Sequence, residues 1–156
     1  MRVRLKLELD CRPDAAWDLL RSPAAFRAVA FPFFVVRPVD GRLPERWSTG
    51  AVRVRMRLFG ILPLGEQIID LAFGERRGAQ IMTDGGGPVS GSLAVIHEWR
   101  HRMAISPSRR GEGTLYRDQL DFRAGALGPV LWPLLWVFWQ WRGAGRRRLA
   151  ARMPGV

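Results

Sequence analysis

Val3, Leu5, Leu7 and Leu9 alternate with Arg2, Arg4, Lys6 and Glu8, a period of two that predicts an opening strand with one wet face. Arg12-Pro13-Asp14 then leads into Ala15-Ala16-Trp17-Asp18-Leu19-Leu20. Proline early and an acid in the first turn suit a helix start. Ser22-Pro23 repeats the signal, so a second short helix is expected over Ala24 to Ala30 with Ser22 as its N-cap.

Strands follow. Phe33 to Val39 ends at the turn signal Asp40-Gly41, and Val52, Val54, Met56 and Leu58 alternate with Arg53, Arg55 and Arg57. Glu66 to Phe73, Ala79 to Thr83, Leu93 to Ala104 and Thr114 to Phe122 complete the set, divided by Gly60 to Gly65, Gly74 to Gly78, Asp84 to Gly91 and Ser106 to Gly113. Sequential strands with short separators imply an antiparallel meander. The chain then changes character: Ala124 to Trp141 carries no charge and is rich in Leu and Trp, and Arg142, Arg146, Arg147, Arg148 and Arg152 follow it. This predicts a long C-terminal helix over about 129–153, starting near Pro129 or Pro133, because proline is tolerated only in a first turn. With no repeat or dividing linker, residues 1–156 read as a single α+β domain: a seven-stranded curved antiparallel sheet around a long C-terminal helix, with two short helices after strand 1.

The run Trp99-Arg100-His101-Arg102-Met103, continued by Gly111-Glu112-Gly113-Thr114-Leu115-Tyr116-Arg117-Asp118-Gln119-Leu120-Asp121-Phe122, resembles the last hairpin of the SRPBCC superfamily, with its START-like, polyketide-cyclase-like and pollen-allergen-like members. Arg12-Pro13-Asp14-Ala15-Ala16-Trp17 is similar to that family's strand-to-helix entry, and the element order matches over nearly the whole chain. The resemblance implies a helix-grip fold enclosing an apolar cavity. Its members range from lipid carriers to cyclases, so it implies no particular reaction. The C-terminal helix departs from the family pattern, being apolar on all sides in its first half.

If Ser106 to Gly113 is the loop, Ile105 faces Thr114, and His101 opposes Asp118, Met103 Tyr116, Trp99 Leu120, and His97 Phe122. All share one face by strand alternation, while Glu98, Arg100, Arg102, Arg117, Gln119 and Asp121 take the other. His101 and Asp118 are thus polar groups aimed into an apolar interior. They either satisfy one another, anchor a ligand's polar end, or act as an acid–base pair if the protein is an enzyme. The expected ligand-binding set is Val54, Met56, Leu71, Phe73, Trp99, His101, Met103, Tyr116, Asp118 and Leu120, joined by Trp136 from the helix. Tyr116 offers a hydroxyl there.

Composition narrows the classes. The chain is 47% hydrophobic and 25% charged, an ordinary globular balance. Its one cysteine, Cys11, allows no internal disulfide and no cysteine metal cage, which fits a reducing, cytoplasmic setting. His97 and His101, four apart on a strand, stand about 13 Å from each other, too far for one zinc ion. No metal and no cofactor is therefore expected. Asp84-Gly85-Gly86-Gly87-Pro88 lacks the end of a phosphate loop and reads as a hairpin loop.

The net charge of +11 favours anionic surfaces, either lipid headgroups or nucleic acid, beside the plainer reading of a solvated basic face. Nucleic acid is disfavoured: the Arg53, Arg55 and Arg57 stripe has no interleaved aromatic to stack bases. On the last helix, Trp132, Trp136 and Trp139 share one face and Leu131, Leu135 and Phe138 the next. Only one stripe need face the sheet, so the other is expected to lie exposed. With Trp132, Trp139, Arg142, Arg146, Arg147 and Arg148 it would contact an anionic inner-membrane surface, a homodimer being the alternative.

Overall fold

Alternation becomes strand wherever one face finds a core. In the computed structural model, which describes residues 1–109, 111 and 113–153, β1 (Arg2–Leu9) buries Val3, Leu5, Leu7 and Leu9 and leaves their charged neighbours in water. Two short helices follow, α1 (Pro13–Leu20) and α2 (Pro23–Ala30). Each opens on a proline whose missing N–H costs nothing in the first turn, and the Ser22 hydroxyl accepts from the Ala25 N–H at 3.2 Å. Then come β2 (Phe34–Pro38), β3 (Gly50–Leu58), β4 (Leu62–Arg76), β5 (Ala79–Asp84), the two-residue β6 (Gly87–Pro88), β7 (Glu98–Pro107) and β8 (Thr114–Arg123). The chain ends in α3 (Gly128–Ala150).

All pairings are antiparallel, in the order β1-β8-β7-β5-β4-β3-β2, with β6 beside β4. β2, β3, β4, β5, β7 and β8 form the expected meander, and β6 is a short addition to it. β1 does not join its start; it pairs with β8 at the far end, Leu5 opposite Asp118. α1 and α2 therefore carry the chain from one sheet edge to the other, and α3 fills the curve between those edges. Gly143 makes the close approach on the β1 side: a Cβ there would stand 2.8 Å from Leu5 Cδ2. On the β2 side the Phe138 and Phe34 rings meet edge-to-face at 4.6 Å.

Three expectations need correcting. Leu93 to Ala104 is not one strand: Gly91–Val95 is a 3-10 turn lying on β4. The Ser90 hydroxyl accepts from Glu66 N–H and the Ser92 hydroxyl donates to Leu64 C=O, side-chain bonds that compete with extended pairing. Gly60 to Gly65 is mostly strand, since the turn is made by Phe59 and Gly60 at positive φ and β4 begins at Leu62. α3 starts at Gly128 with Pro129 in its first turn, as one of the two expected starts has it, so the other, Pro133, is not the start but lies inside the helix. It lies past the first turn, where proline lacks the N–H for a helical bond, and Trp132 Nε1 donates to Arg2 C=O at 2.7 Å beside it.

Candidate functional site

The register of the last hairpin differs from the expected one by two residues. Pro107 pairs with Thr114, so Ile105 faces Tyr116, Met103 faces Asp118, His101 faces Leu120 and Trp99 faces Phe122. A shift of two keeps every side chain on its face. His97 falls just outside β7 and is exposed, so it does not oppose Phe122.

Between the sheet and α3 lies a cavity of about 100 Å³. Val36, Val54, Ile69, Leu71 and Met82 supply its sheet wall, Leu20 and Phe26 its short-helix wall, and Leu135, Phe138 and Trp139 its α3 wall. Polar groups also reach it: Gln67, Asp84, His101, Arg142 and Arg146.

Of the residues expected to line a pocket, Val54, Met56, Leu71, Trp99, His101 and Met103 do so. Tyr116, Asp118 and Leu120 are fully buried behind that wall. Phe73 lies elsewhere, edge-on to Trp17 at 5.9 Å with the Arg21 guanidinium 5.0 Å over its ring. Trp136 points outward and is 43% exposed. Trp139 takes the inward place instead, because α3 is rotated so that 135, 138, 139, 142 and 146 face the sheet.

That rotation overturns the outward assignment of Trp139, Arg142 and Arg146. Trp139 is 1% exposed and both arginines 4%. Trp132 is half-buried and bound to β1, and Arg147 and Arg148 are exposed. Neither expected stripe is the free one. Leu131, Trp132, Leu135 and Phe138 pack against the core, and a third stripe, Val130, Leu134 and Val137, faces out. The tryptophans serve as donors: Trp132 to Arg2 C=O, Trp139 to Asp118, and Trp141 to Phe31 C=O at 2.9 Å.

Asp118 is the hub of the buried polar network. Its Oδ1 lies 2.6 Å from His101 Nε2 and accepts from Trp139 Nε1 at 2.9 Å. Its Oδ2 accepts from the Tyr116 hydroxyl at 2.6 Å and lies 3.9 Å from Arg142 Nη2. Burial by itself pushes this carboxyl up. The charge and hydrogen bond of His101, with Arg142 and Arg146 nearby, outweigh burial and hold it well below the usual carboxylate range. Burial pushes the Tyr116 hydroxyl far up, so it stays a neutral donor.

Asp84 is the acid that sequence reading missed. Its Oδ1 accepts from Asp70 N–H at 2.9 Å and Gly86 N–H at 3.1 Å, and burial still pushes its carboxyl up. Its alternation with the buried Met82 was the available signal, hidden by the glycine run that follows. For Arg142 and Arg146 the signal was helical spacing from Trp139, set against the rule that arginines sit outside. Among the described residues no cluster of His, Cys, Asp and Glu has the grouping of a metal site.

No protein-family model matches this chain, and no protein of curated function matches it. Solved structures do. Protein CV1439 from Chromobacterium violaceum is 15% identical with a TM-score of 0.63, covering 96% of each chain. Norcoclaurine synthase from Thalictrum flavum, in complex with dopamine and hydroxybenzaldehyde, is 8% identical with a TM-score of 0.67, over 100% of this chain and 89% of that one. DynU16, from the dynemicin biosynthetic locus, is 16% identical with a TM-score of 0.59, over 97% of this chain and 47% of that one. The chain shares the helix-grip fold of these structures.

Proposed function

We propose that this protein binds an apolar small molecule, non-covalently, in the cavity between its sheet and α3. One observation carries the reading: a space of about 100 Å³ persists in the interior, walled by aliphatic and aromatic side chains with a few convergent polar groups. A close-packed core leaves few voids larger than a water. Lipid, isoprenoid and polyketide-like ligands all suit such walls; the volume favours a single ring or a short chain over a two-tailed lipid. Norcoclaurine synthase, of similar fold, holds two small aromatic molecules, which agrees with a ligand of that size. Native mass spectrometry of protein purified from its own cells tests this. A retained apolar species supports it, and an empty protein that also takes up no small apolar compound refutes it.

A second reading is an enzyme of the polyketide cyclase or dehydratase type. Its support is His101, which reaches the cavity and is backed by Asp118 at 2.6 Å, the arrangement of a base held by a carboxylate. Turnover of a polyketide substrate that His101→Ala abolishes favours this reading over a carrier.

The outer face of α3 supports peripheral membrane contact by a cytoplasmic protein. Val130, Leu134 and Val137 are exposed, as are Phe31, Phe59, Ile61 and Leu62. Phe33 packs on Phe59, Phe138 and Trp141, which ties the Phe59 turn to α3. Arg147 and Arg148 lie at the helix end, where anionic headgroups would meet them. Among the described residues no helix is long and apolar enough to cross a membrane. Nucleic acid lacks such support: Arg53 and Arg55, the core of the basic stripe on β3, are both paired with Glu66, at 2.8 and 2.9 Å.

A further inference from the structure

Among the described residues, two buried guanidinium nitrogens have no hydrogen-bond partner, Arg142 Nε and Arg146 Nε, whereas the Trp99 indole has the Asp84 carboxylate beside it. Both belong to residues that line the cavity. Both are donors, and neither can accept. A buried donor without an acceptor costs roughly 1–3 kcal/mol, so two around one space require a common explanation.

The charges sharpen this. Arg142 has Asp118 at 3.9 Å and lies over the Trp139 ring at 4.7 Å. Arg146 has no carboxylate within 4.0 Å among the described residues. Its neighbours are the Met103 sulfur at 4.0 Å and the Tyr116 ring at 4.9 Å. Guanidinium does not lose its proton in a protein. Asp118 is already bound by His101, Tyr116 and Trp139, and Asp84 by two backbone N–H groups. Arg146 is the cation left over. Water can occupy an unpaired donor, but it does not neutralise a buried charge.

We infer that Arg142 and Arg146 form a head-group clamp, and that the ligand of this cavity is a small apolar carboxylic acid bound as its anion. The carboxylate reaches the two arginines as a pair of charge-assisted hydrogen bonds. The apolar part lies against Phe34, Phe138, Trp47 and Met56. The volume, about 100 Å³ against roughly 300–1,000 Å³ for drug-sized sites, restricts it to one ring or a short acyl chain. This rests on the apolar-cavity reading above and names the chemical class that reading leaves open.

The test uses a matched pair, 3-phenylpropionate and its neutral amide, titrated into the full chain by calorimetry, with neutral indole as a separate probe of the cavity. The acid should bind at least about tenfold more tightly than the amide, the order expected of a charge-assisted bond. Arg146→Met should remove that preference while indole binding persists, and Arg146→Lys should keep part of it. Acid and amide binding equally, or the acid not binding, overturns the clamp whether or not the variants fold. Indole binding in that case leaves the apolar-cavity reading intact, whereas loss of all three ligands removes both.

Discussion

His101 and Asp118 meet diagonally. Their direct cross-strand partners are Leu120 and Met103, yet Nε2 and Oδ1 stand 2.6 Å apart, so the two side chains lean toward one another along the sheet. The lean leaves the Asp118 Oδ2 3.9 Å from Arg142 on α3 and makes it the counter-charge of that arginine. Asp118→Asn should therefore lower stability by about 3–5 kcal/mol in urea unfolding at neutral pH, since it strips a buried pair of one partner. His101→Ala should cost less, about 1–3 kcal/mol. The double variant should fall short of the sum of the two. Additivity within about 0.5 kcal/mol would show that the pair is not coupled.

Asp84 responds to pH in the opposite sense. Its folded carboxyl titrates above the ordinary 3.8, so between those two values the folded state holds a proton that the unfolded state has released. Stability must fall as pH rises through that window, by up to about 1.4 kcal/mol per pH unit, and then level off. Asp118, held low, contributes stability that is present above the ordinary value and lost only as pH drops below it toward its folded pKa. Asp84→Asn keeps the acceptor for Asp70 and Gly86 but cannot ionise. Its stability relative to wild type should therefore rise from pH 4 upward, read as the difference in urea midpoints. A flat difference across that range refutes the assignment.

Parity explains why much of this interior was legible. Met103, Tyr116, Asp118 and Leu120 lie inside because alternation alone places them there, and an error of two in register left that untouched. The register itself depended on where the hairpin closes, at Pro107 and Thr114, which no hydrophobic pattern marks. The rotation of α3 was not legible, because a helix apolar on every side has no direction in its pattern. Sequence reading therefore put Trp136 inside and Trp139, Arg142 and Arg146 outside, and the structure reverses all four. What fixes the rotation is tertiary: Gly143 against Leu5 and Leu7, and the indole of Trp139 on Asp118.

Gly143 gives a packing prediction. Alanine is the better helix former by up to about 1 kcal/mol. A Cβ here, however, would sit 2.8 Å from Leu5 Cδ2 and 3.2 Å from Leu7 Cδ1, pressing α3 off β1. Overpacking of that kind costs about 1–3 kcal/mol and should win. Gly143→Ala should unfold at lower temperature than wild type, and a rise in melting temperature would show that the two leucines simply turn aside.

The outward stripe of α3 supplies the last prediction. Leu134 is 62% exposed, Val130 and Val137 flank it along the same face, and Arg147 and Arg148 are exposed at the helix end, Arg148 over the Trp141 ring at 5.8 Å. Exposed apolar area of this kind marks an interaction surface. A basic end directs it toward anionic lipid, each arginine near the headgroups being worth about 1 kcal/mol at low salt. Wild-type protein should therefore co-sediment with vesicles containing phosphatidylglycerol at low salt, and less at high salt as the headgroup charge is screened. Leu134→Glu with Val137→Glu should abolish this at either salt, because it removes the apolar contact and adds repulsion. Arg147→Gln with Arg148→Gln should weaken binding by about thirtyfold and flatten its salt dependence. All four positions face away from the cavity, so uptake of indole should be unchanged in both variants. Absence of vesicle binding at low salt defeats the membrane assignment. A dimer in sedimentation velocity that the glutamate pair dissociates would then give the stripe to a second copy of the chain, because burial against a partner is the other way to take this apolar face out of water.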